Sequence, residues 1–259
     1  MHSPLVRTAI AMLLGSATLA SQAATVNLTG WAYGNSWGHT VSVGKPNHTG
    51  PAGGFTGAVT FAGSELGFSG TLQDFITYCV EIEESFRLPS GDLTGYAVVA
   101  GADHDPWDSV NANANANANA NGKSAAATAS RLGQLLSYVG STGTLVDTAA
   151  ESTSLQLAIW NIIYDGDNSL DGGPFKEKSG SSYNSYANTL LTASANWTPT
   201  LDVYVLTKAG SQDFLLTRNI SPGLTTTRNG ISPVPEPASL ALAMLALGAA
   251  GAASRRRRA

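Results

Sequence analysis

Hydrophobic and polar residues alternate with a period of two over much of the N-terminal part of the chain, which is the spacing of half-buried β-strands. Strand-forming residues over 25–45 flank the glycine-rich segment 34–38, which predicts a hairpin. A Pro/Gly loop is predicted over 46–54 and a turn-rich segment over 63–70. Further strands are predicted over 55–61, 74–82 and 93–100.

The segment 74–82 has the clearest strand pattern. Its two predicted faces carry Ile76, Tyr78, Val80 and Ile82 on one side and Phe75, Thr77, Cys79 and Glu81 on the other. The face with Cys79 is buried only if another element, such as a helix, lies over it.

Apolar residues recur at spacings of three and four in the second half of the chain, which predicts helices. We predict one helix over 123–138, stopped at Gly140, a second helix from Thr148 to Asp165 and a third over 182–195. A hairpin of strands 201–206 and 213–217 is predicted to follow them. The second helix begins with the capping-box pattern Thr148-x-x-Glu151. The order of elements predicts an α+β fold, in which a helical insertion over about 123–195 interrupts a β-rich framework.

Both ends of the chain have patterns of export and sorting. Arg7 precedes the apolar stretch from Thr8 to Ala20, and the small residues Ser21 and Ala23 follow, so residues 1–23 are predicted to be a cleaved signal peptide. Near the other end lie Pro235, Glu236 and Pro237, then small or apolar residues over 238–253, then Arg255, Arg256, Arg257 and Arg258.

This C-terminal pattern, over residues 234–259, resembles the PEP-CTERM sorting signal of Gram-negative bacteria. The resemblance implies export across the inner membrane, cleavage near residues 235–237 by an exosortase-type membrane protease, and a final place at the cell surface or outside the cell. The resemblance also implies a short transmembrane helix whose end the arginines hold in the cytoplasm. Because cleavage removes this helix, the protein is expected to contact the membrane only transiently. The alternative is an uncleaved C-terminal anchor.

Between the two signals, residues 24–233 form one predicted domain, with a low-complexity Asn/Ala loop over 111–121. Charged residues make up 12% of the chain and the net charge is −4, so no basic patch favours nucleic acid as a partner. Cys79 is the single cysteine, and it therefore forms no internal disulfide: it is a buried free thiol, an intermolecular link or a reactive group.

Cys79 lies in a Tyr-Cys strand segment and Gln156 lies in the helical sequence Gln-Leu-Ala-Ile-Trp. Over about 70–165 these motifs resemble the thioester domains of bacterial surface adhesins. The resemblance implies an internal thioester between Cys79 and Gln156 that captures an amine on a matrix or surface polymer, in adhesion or a biofilm. Trp160, one helical turn beyond Gln156, and Tyr78 are candidates for shielding this bond from water.

The same two residues also have a simpler interpretation, in which Cys79 packs in the core and Gln156 is an ordinary helical glutamine. The protein is then a non-reactive structural component of the extracellular polysaccharide matrix. In neither case is it an enzyme with turnover, and no cofactor is expected.

Two groups of acidic residues have the side chains of metal ligands. Asp165, Asp167 and Asp171 follow the second helix, but no acid occupies the last position of a calcium loop, so solvated turn residues are the better interpretation. The segment Asp103-His104-Asp105 has no second cluster in the sequence to complete a metal site.

Overall fold

The fold is an antiparallel β-sheet with a helical insertion before its last two strands. The computed structural model describes residues 23–34, 40–43, 48–82, 84–104, 124–165, 167–173, 175–177 and 182–220. The strands are β1 (Ala24–Trp31), β2 (Thr40–Val43), β3 (His48–Pro51), β4 (Phe55–Glu65), β5 (Phe68–Thr77), β6 (Asp92–Ala100), β7 (Leu201–Lys208) and β8 (Ser211–Asn219). The helices are α1 (Ala125–Thr142), α2 (Ala149–Tyr164) and α3 (Ser182–Ser194). The predicted α+β class and the predicted place of the helices are confirmed.

Six strands form the main sheet, in the order β5-β4-β1-β6-β7-β8, and every neighbouring pair is antiparallel. The sheet curls until its two edges meet just beyond β5. There Val80 N–H donates to the carbonyl oxygen of Asp213 (3.0 Å) and Leu215 N–H donates to that of Tyr78 (3.0 Å). The hydroxyl of Thr77 donates to the carbonyl oxygen of Leu215 at 2.7 Å. Residues 77–80 therefore join the two edges of the sheet.

Helix α2 is the centre of the core, because side chains around its whole circumference are buried. It begins with the predicted capping box, in which Thr148 accepts from Glu151 N–H and Glu151 accepts from Thr148 N–H. Polar side chains along α2 bind backbone that lies outside the regular strands. Thr153 donates to the carbonyl oxygen of Ala52 (2.7 Å), and Gly54 N–H donates to Ser152 (2.8 Å). These contacts fix α2 against the segment that follows β3.

Helix α1 is longer at its C-terminal end than the sequence pattern predicts. Its N-cap is Ser124, whose hydroxyl accepts from Ala127 N–H. It continues through Gly140 and ends at Gly143, which has a φ of 68°. Gly143 provides the left-handed C-cap that a glycine adopts without a Cβ penalty, and a helix-interior glycine such as Gly140 costs only about 1 kcal/mol.

The observed strands differ from the predicted ones in several places. The segment 40–43 does not pair with β1: β1 pairs with β4 and β6, and β2 pairs with β3 in a separate two-stranded sheet. Residues 48–51, predicted to be loop, form β3. The predicted turn over 63–70 is mostly strand, because β4 and β5 turn tightly at Leu66 and Gly67, which both have positive φ.

Among the described residues, no helix is long and apolar enough to cross a membrane. The predicted signal peptide (1–23, of which only residue 23 is described), the Asn/Ala loop over 111–121 and the sorting signal over 234–259 lie outside the described residues.

Candidate functional site

Cys79 lies at the junction where the curled sheet closes. It faces Phe214 of β8 in an antiparallel bridge, and the residues on either side of it make the hydrogen bonds to β8. Because successive residues of an extended segment direct their backbone groups to opposite sides, the N–H and C=O of Cys79 point away from β8. No further strand of the described sheet lies on that side.

The side chain of Gln156 from α2 occupies this place. Cys79 N–H donates to Oε1 of Gln156 at 2.9 Å, and Nε2 of Gln156 donates to the carbonyl oxygen of Cys79 at 2.9 Å. The carboxamide thus makes the two hydrogen bonds that a neighbouring strand would make. Gln156 is 1% exposed and Cys79 is 8% exposed, so the contact is almost dry. The structure brings together the two residues that the sequence singles out.

A cavity of about 410 Å³ adjoins this contact. Its aromatic wall consists of Trp31, Phe55, Phe86 and Trp160. Polar groups line it as well, and they include Cys79, Glu81, Gln156 and Gln212. An apolar cavity with a few convergent polar groups is the usual form of a small-ligand site. The cavity gives a small molecule or a side chain a route to the Cys79–Gln156 pair.

The two predicted shielding residues lie in different surroundings. Trp160 is 4% exposed and lines the same cavity as Cys79 and Gln156. Tyr78 instead lines a separate small cavity of about 30 Å³, and its hydroxyl lies 3.3 Å from the hydroxyl of Ser152. Of these two residues, only Trp160 is therefore placed to limit the access of water to the Cys79–Gln156 pair from the cavity of about 410 Å³.

The thiol of Cys79 is held in its neutral form. Burial, and then the charge of Glu81, raise the pKa of the thiol well above its usual range. A neutral buried thiol resists oxidation and alkylation. Any reaction of this sulfur therefore depends on its intramolecular position rather than on a high thiolate population.

Sequence reasoning missed a cluster of three ligand-type side chains beside the sheet closure. Glu81, His104 and Asp213 each place a ligand atom within 4.8 Å of the other two. Burial, and then the charge of Asp213, raise the pKa of Glu81 to about 8, and burial also raises the pKa of Asp213. The signal in the sequence is weak, since the three residues are far apart in the chain and only the closure of the sheet brings them together.

The aspartates predicted as weak calcium ligands make hydrogen bonds with their own loop and with the helices on either side of it. Asp167 Oδ1 accepts from Asn161 Nδ2 and from Ser169 N–H, both at 3.0 Å. Asp165 Oδ2 accepts from Phe175 N–H at 3.3 Å. Asp171 Oδ2 accepts from Asn188 Nδ2 at 2.9 Å. These contacts give each carboxylate a structural role in the turn after α2.

Comparison with known proteins identifies one segment of the chain. Residues 233–258 match a family model described as the PEP-CTERM protein-sorting motif. The match contains Pro235, Glu236 and Pro237 and Arg255 to Arg258. No curated protein and no solved structure was found to match the chain. PEP-CTERM motifs are recognised by exosortase and imply export, with placement at the cell surface or outside the cell. The chain therefore carries a PEP-CTERM sorting signal.

Proposed function

We propose that this is a surface or matrix protein that attaches covalently to amines through an internal thioester between Cys79 and Gln156. The observation that carries the proposal is the pair of 2.9 Å hydrogen bonds between the carboxamide of Gln156 and the backbone of Cys79. They hold the electrophilic carbon beside the residue that carries the nucleophile, across 77 positions of the chain. Such fixed proximity raises the effective concentration of a weak electrophile by orders of magnitude.

The chemistry of bond formation balances without any added reagent. The sulfur of Cys79 attacks the side-chain carbonyl carbon of Gln156, and the C–N bond to Nε2 breaks. The thiol proton leaves with the nitrogen, so the products are a thioester and one molecule of ammonia. The Cys79 N–H already donates to Oε1, and it continues to donate while negative charge develops on that oxygen.

Capture of an amine reverses the direction of nucleophilic attack. A primary amine enters through the cavity and attacks the thioester carbon, and the C–S bond breaks. The product is an amide on the side chain of residue 156, and the thiol of Cys79 is regenerated. One molecule reacts once, so the protein is a single-use linker rather than an enzyme with turnover. The aromatic wall, which includes Trp160, favours an amine with an apolar stem and slows the competing attack by water on the thioester.

The sorting signal supports this role, because a covalent linker acts where a polymer or a foreign surface is within reach. Export brings the folded domain to that place. The partners proposed are the exosortase-type protease and an amine-bearing polymer of the matrix or of a contacted surface.

A second candidate function rests on the same hydrogen bonds. Gln156 satisfies the hydrogen-bonding capacity of both backbone groups of Cys79. A purely structural connection between α2 and the sheet therefore also accounts for the pair. The protein is then a non-reactive component of the extracellular matrix. This candidate predicts a free thiol and an intact carboxamide in the mature protein.

Capture of a labelled amine distinguishes the two. The freshly purified protein is incubated with biotin cadaverine, a primary amine on an alkyl stem, and the modified peptide is sequenced by tandem mass spectrometry. The proposal predicts label on residue 156 of the wild-type protein and none in Cys79→Ala. Gln134→Ala, which changes a glutamine of α1 away from the cavity, is labelled like the wild type. Absence of label on residue 156, together with a Cys79 thiol that is alkylated as soon as the protein is unfolded in urea, selects the structural candidate.

A further inference from the structure

Three side chains with metal-ligand chemistry meet at the closure of the sheet. Glu81 lies in the segment after β5, His104 follows the short 3₁₀ turn Gly101–Asp103, and Asp213 lies on β8. Nε2 of His104 is 3.8 Å from Oδ2 of Asp213, and one ligand atom of each of the three residues lies within 4.8 Å of the others. The cluster thus joins three segments that are distant in the sequence.

Backbone and amide donors fix the orientation of both carboxylates. Oε2 of Glu81 accepts from Asp213 N–H (2.9 Å) and from Gln212 Nε2 (3.1 Å). Oδ1 of Asp213 accepts from Lys208 N–H at 2.9 Å. These contacts hold Oε2 of Glu81 and Oδ1 of Asp213 in place. Hydrogen bonds of this kind around a ligand are the outer-shell contacts that orient carboxylates in metal sites.

The cluster lies largely out of contact with solvent. His104 is 1% exposed and Asp213 is 3% exposed, and Glu81 is half-buried beside them. Among the described residues, no lysine or arginine forms an ion pair with Glu81 or Asp213. A charged carboxylate in such a place is normally paired or coordinates a metal. A divalent ion stabilises the deprotonated, ligating form of both carboxyl groups.

We propose that Glu81, His104 and Asp213 bind one divalent transition-metal ion, with Zn²⁺ as the representative. Zn²⁺ in a tetrahedral site forms bonds of about 2.0 Å to imidazole nitrogen and to carboxylate oxygen, so two of its ligand atoms are about 3.3 Å apart. The 3.8 Å between His104 and Asp213 exceeds this spacing by about 0.5 Å. Ligand atoms that lie within 4.8 Å of one another reach this spacing with combined side-chain shifts of about 1.5 Å or less. The imidazole selects a transition metal over Mg²⁺ and Ca²⁺, which prefer oxygen ligands throughout.

The ion ties the segment after β5, the 3₁₀ turn and β8 to one another at the junction that carries Cys79. Glu81 and Gln212 also line the large cavity, so the cluster lies beside its wall. The site is independent of the thioester, because none of its three ligands takes part in the bond between Cys79 and Gln156.

Calorimetric titration of the full-length purified protein with Zn²⁺, after removal of metals with a chelator, tests the site. We expect one Zn²⁺ per chain and a higher melting temperature in its presence. His104→Gln and Asp213→Asn are expected to weaken binding by about 100-fold or more, since loss of an outer contact alone costs up to that factor. Asp202→Asn, an exposed carboxylate of β7, serves as the control and binds like the wild type.

Cobalt spectroscopy provides a readout that does not depend on the stability of the variants. Co²⁺ in the wild-type site is expected to show the visible absorption of a nitrogen- and oxygen-coordinated ion, without a thiolate charge-transfer band. Cys79→Ala is expected to give the same spectrum. A wild-type protein that binds no Zn²⁺, a His104→Gln protein that binds it normally, or a thiolate band that disappears in Cys79→Ala overturns the proposal.

Discussion

The carboxamide of Gln156 binds both backbone polar groups of Cys79, at 2.9 Å each, and so replaces the strand that is missing beside the closure of the sheet. This relationship joins the central helix to the junction of the two sheet edges. It also holds the only cysteine of the chain next to a side-chain carbonyl carbon. The structural and the chemical roles of the pair therefore depend on the same contact.

In the Cys79→Ala background, where no thioester forms, replacing Gln156 by alanine is expected to lower the free energy of unfolding by about 2 to 5 kcal/mol, because two buried backbone groups of residue 79 lose their partners at a cost of about 1 to 3 kcal/mol each. Urea denaturation followed by circular dichroism measures the change. Gln134→Ala, at a partly exposed position of α1, is the control and is expected to change stability by about 0.5 kcal/mol or less. Equal effects of the two substitutions would show that the contact contributes nothing to stability.

Gly57 on β4 is expected to tolerate no side chain. A Cβ at this position would lie 1.9 Å from the carbonyl oxygen of Asn27 and 2.8 Å from Cα of Leu28, both backbone atoms of β1. Gly57→Ala is therefore expected to lower the melting temperature strongly and to cost at least about 2 kcal/mol. Gly30→Ala on β1 is the matched control, since a Cβ there meets nothing within 4 Å. A melting temperature that is unchanged in Gly57→Ala would contradict the observed register of β1 and β4.

The capping box of α2 is expected to stabilise the fold as a whole, because α2 carries Gln156 and lies at the centre of the core. Thr148→Ala removes the hydroxyl that accepts from Glu151 N–H and is expected to cost about 1 kcal/mol. Thr148→Ser keeps this hydroxyl, so its stability should stay within a few tenths of a kcal/mol of the wild type. Thermal unfolding of the two variants checks the prediction. Equal stability of the alanine and serine variants would contradict it.

Trp160 is expected to control the lifetime of the proposed thioester. Trp160→Leu keeps an apolar side chain but opens the cavity wall beside Gln156, so water reaches the bond more readily. Hydrolysis, followed as the gain of one molecule of water in the intact mass over time, should be several-fold faster than in the wild type.

Two further variants act as controls for this effect. Trp197→Leu changes a half-exposed tryptophan that packs on Tyr138, and Tyr78→Phe removes a hydroxyl in the separate small cavity. Both are expected to release the thiol at the wild-type rate. Equal rates in Trp160→Leu and in these controls would remove Trp160 as the shielding residue.

The sequence predicts the regular elements well where the local pattern is strong. The capping box at Thr148 and the hairpin of β7 and β8 are local signals, and both are present. The pairing of β1 with β4 and β6 is not local, because Leu28 meets Gly57 across the sheet and alternation alone does not select a partner strand. The segment after β5 shows the same limit, since the strand pattern continues to Ile82 whereas β5 ends at Thr77 and its continuation pairs with β8.

The sequence identifies the two residues of the Cys79–Gln156 pair but not the side chains that lie around them. Cys79 is the only cysteine and Gln156 lies in a distinctive helical motif, so the sequence selects both. The cluster of Glu81, His104 and Asp213 depends on the curl of the sheet, which brings the segment after β5 onto β8. No local pattern contains this information, because curvature arises from the twist of all six strands together.

The intact mass of the freshly purified protein tests the central claim most directly. The account predicts a mass lower than that of the unmodified chain by one molecule of ammonia. Methylamine raises this mass by one molecule of the amine and releases the thiol of Cys79, whereas Cys79→Ala shows no deficit and no uptake. A wild-type mass equal to that of the unmodified chain, together with an intact carboxamide on Gln156, would contradict the account.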